Sequence, residues 1–158
     1  MSESDIADLK IGDFVYLEGT MYTARDASHA KMIDLLDRKK SLPFDIKGQS
    51  IYYMGPTPAP ANLACGSAGP TTSSRMDQYT PRLLAEGLKV MIGKGDRSDD
   101  VKNSIEKHAA IYFGTIGGAG AYLGKSISKM TCIAFGDLGA EAVYKLTVKD
   151  FPAIVLLK

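Results

Sequence analysis

Four places in this 158-residue chain gather side chains that could do chemistry. The densest is Gly69-Pro70-Thr71-Thr72-Ser73-Ser74-Arg75-Met76-Asp77. Gly69 and Pro70 turn the chain sharply, glycine through its freedom in φ and proline by fixing its own. Thr71, Thr72 and Ser73 are N-cap residue types, so the run reads as a helix start whose unpaired N–H groups could receive a carboxylate or phosphate. Arg75 adds a planar fork of donors that matches a carboxylate. The plainer reading is a well-capped helix with a solvated arginine.

The second place is Ala24-Arg25-Asp26-Ala27-Ser28-His29, at a strand-to-helix junction. Asp26 is the expected N-cap, and Asp26 and His29 lie three apart on one helical face. Asp26 that merely caps and His29 that merely packs or is solvated is the plainer account. It is preferred for His29, while Arg25 stays open between the two. The third place is Gly93-Lys94-Gly95, where a lysine between glycines has little hydrophobic work and can be presented at a cleft. It is not a Walker A loop, because the GxxxxGK[ST] spacing is absent. The fourth is the glycine-rich run from Gly114 to Gly124. From Gly118 it reads GxGxxxG, one residue too long for a dinucleotide fingerprint, and about ten residues remain for a crossover helix that belongs to a βαβ unit of roughly 30. Asp137 stands about where a ribose acid should, but the nucleotide reading is disfavoured.

The elements that position these places alternate between strand and helix. Asp13 to Thr23 has strand-like stretches on both sides of Glu18-Gly19, which predicts a hairpin. Ala27, Ala30, Ile33 and Leu35/Leu36 recur at helical spacing up to Arg38-Lys39-Lys40. Ser50 to Met54 reads as a strand, and Gly55 to Gly69 as a Pro/Gly/Ala-rich loop, long enough to suggest function. Leu83, Leu84 and Leu88 mark a helix ending near Gly87, in which Pro81 makes a kink or a second start. Lys89 to Ile92 is a short buried strand, Ser98 caps a helix carrying Val101 and Ile105, and Ala110 to Phe113 is a further strand. Thr131 to Phe135, Val143 to Val148 and Ala153 to Leu157 read as three closing strands, Pro152 breaking the last pair. Glu141, just before them, reads as a surface acid rather than a buried partner.

Composition bounds the function. One domain of this length buries about two thirds of its unfolded surface. Hydrophobic residues at 45% and charged residues at 23% are ordinary globular values, and a formal charge of +1 argues against a general nucleic-acid or anionic-membrane binder. No apolar run reaches the length of a membrane span, and Met1-Ser-Glu-Ser-Asp5 lacks the layout of a signal peptide. The two cysteines, Cys65 and Cys132, have no CxxC partner, which fits a reducing cytoplasm and excludes a cysteine-built metal or iron–sulfur site within the chain. Arg25, Thr71 to Arg75 and Lys94 each follow an extended segment, and strand ends in a layered α/β fold can converge on one crevice. Two arginines and a lysine meeting there would suit a small dicarboxylate.

The segments Thr23 to His29, Gly69 to Asp77, Gly93 to Gly95 and Ile116-Gly-Gly-Ala-Gly-Ala-Tyr122 occur in the order of the class I fumarate hydratases. From about Gly12 onward the chain resembles their C-terminal domain, or separate β subunit, and that of L(+)-tartrate dehydratase. The resemblance implies a single domain over residues 1–158, with about 1–11 as a lead-in. It implies an α/β fold of the swivelling β/β/α type, with mixed sheet layers and helices on one side. It implies a hydro-lyase that interconverts fumarate and (S)-malate in the tricarboxylic acid cycle, in the cytoplasm. Its partner would be an α subunit carrying the [4Fe-4S] cluster, in a heterotetramer, with neither nucleic acid nor membrane as partner. Arg25, Thr71, Arg75 and Lys94 would bind the substrate carboxylates, and Thr71 would be the candidate base. Asp26, His29, Thr72 and Asp77 would support them. No metal would be held by this chain. A threonine base would need activation by the site. One departure from the family pattern is Ser73-Ser74, where many members have a small residue and glycine before the arginine. The alternatives are a tartrate dehydratase β subunit and a non-catalytic module that binds a carboxylate or a partner.

Overall fold

The computed structural model describes residues 3–158. Met1 and Ser2, which open the predicted lead-in, lie outside the described residues. The elements run α1 (Glu3–Asp8), β1 (Phe14–Thr23), α2 (Asp26–Asp37), β2 (Ser50–Tyr52), α3 (Thr80–Ala85), β3 (Val90–Gly93), α4 (Asp99–Lys107), β4 (Ile111–Gly114), α5 (Gly120–Lys125), β5 (Ile127–Ala134) and β6 (Val143–Leu157), with 3-10 helices at Ser73–Met76 and Gly136–Glu141. This is the expected α/β class.

The strands form one mixed sheet in the order β1-β2-β3-β4-β6-β5, and β1 also pairs with β6. The first five therefore close on themselves, and β5 hangs on the outside of β6. The pairs β1–β2, β2–β3 and β3–β4 are parallel, and every pairing of β6 is antiparallel. β3 and β4 are buried along their whole length, as parallel strands covered on both faces must be. The two faces split by strand alternation. Tyr52, Val90, Ile92, Ile111, Phe113 and Val155 belong to one apolar cluster, while Ile51, Tyr53, Met91 and Tyr112 belong to the other. The second cluster lies under α2, α3 and α4, which supply Met32, Leu83, Leu84, Val101 and Ile105. The short helices α1 and α5 contribute Ile6 and Leu123 to the first. Lys158 holds α1 in place, donating to the carbonyls of Ile6, Ala7 and Leu9.

Two sequence expectations are overturned. The predicted hairpin around Glu18-Gly19 is one continuous strand. Both halves pair with β6, from Phe14 opposite Ile154 to Tyr22 opposite Lys145, and Gly19 takes φ +109° at a bulge between them. The last two predicted strands are likewise one, running through Pro152. Pairing of β6 with β5 stops at Val148 and pairing with β4 starts at Ile154, so around Pro152 only β1 is alongside. A missing N–H is tolerated where one side of a strand has no ladder to lose. Asp150, in the left-handed region at φ 52°, bends the strand at the same handover. Pro81 proves to open α3 as a second helix start.

The glycine run has a packing explanation. A Cβ on Gly120 would lie 2.1 Å from Ser67 Oγ and 2.9 Å from Gly69 N, and one on Gly124 would lie 2.1 Å from Gly66 O. These glycines let α5 press against the backbone of the 65–69 loop, where Ala68 N–H donates to Gly120 O.

Candidate functional site

Arg25 is placed by its own backbone. It is the residue before α2, with φ −120° and ψ −164°, and it takes the N-cap position expected of Asp26. Its N–H donates to Ser28 Oγ at 2.8 Å, and its carbonyl accepts from Ser28 Oγ at 3.0 Å and His29 N–H at 2.8 Å. Asp26 is thereby released from capping and becomes the first helical residue, where the helix dipole favours an anion.

The Arg25 side chain crosses Gly55. A Cβ there would stand 2.7 Å from its Nη1 and 2.8 Å from the Ala140 carbonyl. Its Nη2 lies 3.4 Å from Glu141 Oε1, both side chains about a quarter exposed. The other oxygen of Glu141 accepts the Ala27 N–H at 2.8 Å. One carboxylate thus serves both the first turn of α2 and the guanidinium. Glu141 is therefore a bound partner, contrary to the surface acid read from the sequence. No local pattern could have revealed this, since 116 positions separate it from Arg25 and it sits in an irregular 3-10 segment.

Arg75 is held from the same helix. Its Nε donates to Asp26 Oδ1 at 3.0 Å, and its Nη1 reaches Thr71 Oγ1 at 3.5 Å. Its Nη2 edge has no partner among the described residues, and half of the side chain is exposed. The segment that carries Thr71 and Arg75 is pinned at both ends of its turn. Thr71 N–H donates to Tyr53 O at 2.7 Å, and Ser73 N–H donates to Lys94 O at 3.0 Å. Lys94 N–H in turn donates to Ser73 Oγ at 3.0 Å. Gly93 must be glycine for this, because a Cβ would fall 2.0 Å from that Oγ. Ser73 is therefore buried and structural, not an anion-binding cap. The expected capped helix is a single 3-10 turn over Ser73–Met76, and Thr72 at its start makes no side-chain capping bond.

Lys94 follows β3 directly, its side chain along Gly117, whose Cβ would lie 3.6 Å from Nζ. Its ammonium has no hydrogen-bond or ion-pair partner among the described residues. At the carboxyl ends of the parallel strands, Arg75 links Asp26 to Thr71, Arg25 adjoins Asp26 in the chain and is held by Glu141, and Lys94 joins the segment through its backbone bridge to Thr72. Arg25 pairs with Glu141 and Arg75 with Asp26 there. Arg25 Nε and Asp26 Oδ2, like His29 Nε2 and Tyr53 Oη behind them, are buried without a hydrogen-bond partner among the described residues.

His29 and Asp77 stand behind the site. His29 is fully buried between the rings of Tyr53 and Tyr79, its Nδ1 2.8 Å from Arg25 O. That oxygen only accepts, so Nδ1 carries the proton. Burial lowers its pKa to about 4, against the pull of the Arg25 carbonyl, so the ring is neutral near pH 7 and cannot serve there as a general acid. Asp77 accepts from Arg97 Nε and Ser98 N–H, each at 2.7 Å. Arg97, fully buried, also donates to Thr80 Oγ1 and lies over the rings of Tyr53 and Tyr112. Tyr112 Oη bonds Ser73 Oγ, which ties this layer to the Ser73–Lys94 pair. Sequence reasoning missed Arg97. It follows the Gly-Lys-Gly turn by two residues and carries no distinguishing pattern.

The chain's own donors do not fit an iron–sulfur cluster. Among the described residues no three His, Cys, Asp or Glu side chains gather for a metal, Cys65 is buried with its thiol pKa raised by burial, and Cys132 is exposed on β5. The described residues also contain no helix long and apolar enough to cross a membrane.

Comparison with known proteins places this geometry in context. The family model described as Fumarase C-terminus matches residues 1–158. Fumarate hydratase 2 of Leishmania major is 42% identical over 154 residues, covering 96% of this chain and 27% of the relative. The anaerobic class I fumarate hydratase of Escherichia coli K12 is 45% identical over 143 residues, 89% of this chain and 26% of the relative. A putative L(+)-tartrate dehydratase subunit beta of Methanocaldococcus jannaschii is 35% identical over 161 residues, 99% of this chain and 83% of the relative. The chain spans about a quarter of the length of the fumarate hydratases it matches.

Proposed function

This chain belongs to the Fumarase C-terminus family, and from that premise we propose that it supplies the substrate-anchoring half of a class I fumarate hydratase, a hydro-lyase that interconverts fumarate and (S)-malate. The observation that carries the reading is that Arg75, held by Asp26 beside Thr71, and Arg25, held by Glu141, adjoin at the start of α2, with Lys94 tied to the same segment through its backbone. A dicarboxylate brings two negative charges to a site that already holds its arginines in fixed geometry, so little ordering remains to oppose binding. Arg75 offers its free Nη2 edge to one carboxylate, Arg25 steadied by Glu141 takes part in the grip, and Lys94 adds an unpaired point charge.

Thr71 is the candidate base, and its surroundings limit how it can act. The polar partner of its hydroxyl is the Arg75 guanidinium, a donor. A neighbouring cation favours the alkoxide form, but no group among the described residues is placed to take the Thr71 proton. Activation therefore falls to the half of the site that this chain does not carry. In this reading the catalytic acid and the [4Fe-4S] cluster belong to an α-type partner, and the assembly is a heterotetramer. The relative named as a subunit beta, matched over 83% of its length, supports a two-component arrangement. L(+)-tartrate dehydration is the second reading, favoured by that same relative.

The test is an assay of the assembled complex on fumarate and on L(+)-tartrate. Fumarate turnover supports the first reading and tartrate turnover alone the second. A complex active on neither overturns both. Thr71→Ser should retain activity that Thr71→Val loses, whereas equal activity in Thr71→Val removes the hydroxyl from the mechanism.

A further inference from the structure

Two buried hydroxyls, those of Ser73 and Tyr112, join the Gly93-Lys94-Gly95 turn to the segment that carries Thr71 and Arg75. Ser73 N–H donates to Lys94 O, and Lys94 N–H donates to Ser73 Oγ, each at 3.0 Å. Tyr112 Oη lies 2.9 Å from both Ser73 Oγ and the Gly95 carbonyl oxygen. That carbonyl only accepts, so the phenol proton points to it and Ser73 donates to Tyr112 Oη. The protons therefore run one way, from Lys94 N–H through Ser73 and Tyr112 to Gly95 O. They close a ring over the backbone from Lys94 to Gly95, and hydrogen bonds aligned in this way reinforce one another. Burial pushes the Tyr112 pKa up to about 12, so the phenol keeps this proton at neutral pH. The Tyr112 ring is braced in turn by the Arg97 guanidinium, 5.0 Å from its centroid, which Asp77 holds from the end of the 3-10 turn.

We propose that Ser73 and Tyr112 are positioning residues for the reaction, setting Lys94 against Thr71 and Arg75 through this ring. The inference rests on the proposed function, in which Lys94 and Arg75 grip the substrate. Neither hydroxyl touches the substrate in this role. A clamp for two carboxylates works only while its cations keep the spacing of the ligand, and hydrogen bonds behind the gripping groups hold that tolerance. Ser73 stands two residues from both Thr71 and Arg75, and Lys94 opens the ring, so losing either hydroxyl frees one part of the clamp from the other. The Thr71 N–H bond to Tyr53 O lies outside the ring and keeps the segment seated on β2 when the ring opens.

The test uses the chain assembled with its α-type partner and the variants Tyr112→Phe and Ser73→Ala. Each deletes one hydroxyl and leaves the backbone bond from Ser73 N–H to Lys94 O in place. Each should raise KM for the dicarboxylate turned over by about tenfold, with kcat changed by less than about threefold. The double variant should be no worse than the more impaired single one, because either deletion opens the ring. Val155→Ala, in the apolar cluster on the other face of the sheet, should lower the melting temperature and leave KM unchanged. Should one hydroxyl variant fail to fold, the other decides by the same measure. Hydroxyl variants that behave like Val155→Ala, less stable with KM intact, would overturn the positioning role while the proposed function stands. A double variant whose KM rises by the product of the two single increases would overturn the ring as a unit. If the unaltered complex turns over neither fumarate nor L(+)-tartrate, the positioning role and the proposed function both fall.

Discussion

Gly55→Ala tests whether the position of Arg25, rather than its charge, matters. The added methyl would stand 2.7 Å from Arg25 Nη1, 3.0 Å from its Cδ and 2.8 Å from the carbonyl oxygen of Ala140. The arginine can swing away. The Ala140 backbone, fixed beside the Glu141 contacts to Arg25 and Ala27, yields less easily. Overpacking of this kind costs about 1–3 kcal/mol, which for a chain of this size lowers the melting temperature by roughly 2–12 °C at about 2–4 °C per kcal/mol. The larger effect is on substrate. Displacing a clamp by about 1 Å costs roughly a hundredfold in rate. The expected outcome is a folded protein whose complex has kcat/KM reduced by about two orders of magnitude, measured by the loss of fumarate absorbance. Gly136→Ala is the control, since its Cβ would meet nothing closer than Cys132 Sγ at 3.7 Å. Kinetics in Gly55→Ala equal to those of the control would refute the claim that Gly55 and Glu141 set the arginine.

Removing the guanidinium groups gives a second set of outcomes. Arg25→Ala and Arg75→Ala should each raise KM and lower kcat, with kcat/KM down by roughly 10- to 150-fold, as expected for a charge-assisted hydrogen bond of about 1.5–3 kcal/mol. Full activity in either variant takes that residue out of the site. His29 should make stability pH-dependent. Its folded pKa of about 4 lies below the usual 6.5, so the unfolded chain binds the extra proton between those values. Stability is then complete above about pH 6.5 and declines as pH falls toward 4, by on the order of 3 kcal/mol for a shift of this size. Chemical denaturation across that range should show the slope, and His29→Asn should flatten it. Arg97→Ala strips the partner from the mostly buried Asp77 carboxylate and should destabilise the fold by about 3–5 kcal/mol, read from the urea midpoint. An unchanged midpoint would contradict the buried pair.

The residues proposed for the site from the sequence share one property. Arg25, Thr71, Arg75 and Lys94 sit in short motifs at strand ends, where their chemistry has no competing hydrophobic explanation. What was not legible depends on contacts distant in sequence. Glu141 reaches Arg25 from the far side of the chain, and Gly55 is required because the Arg25 side chain and the Ala140 carbonyl both crowd it. Asp26 looked like a cap because its residue type favours caps, yet Arg25 and Ser28 close the helix between them and free the carboxylate for Arg75. The closing strands were misread for a related reason. Gly19 and Pro152 are turn residues by type, but β1 and β6 accommodate them as a bulge and a stretch laddered on one side only, which only the pairing reveals.

The central claim is that the three cations of this chain bind a dicarboxylate completed by a partner half. Its most direct test is turnover by the chain alone, by the α-type partner alone, and by the two mixed, each supplied with fumarate. The account predicts hydration to malate in the mixture and none in either component. Activity in the isolated chain, or a stable mixture that converts neither fumarate nor L(+)-tartrate, would contradict it.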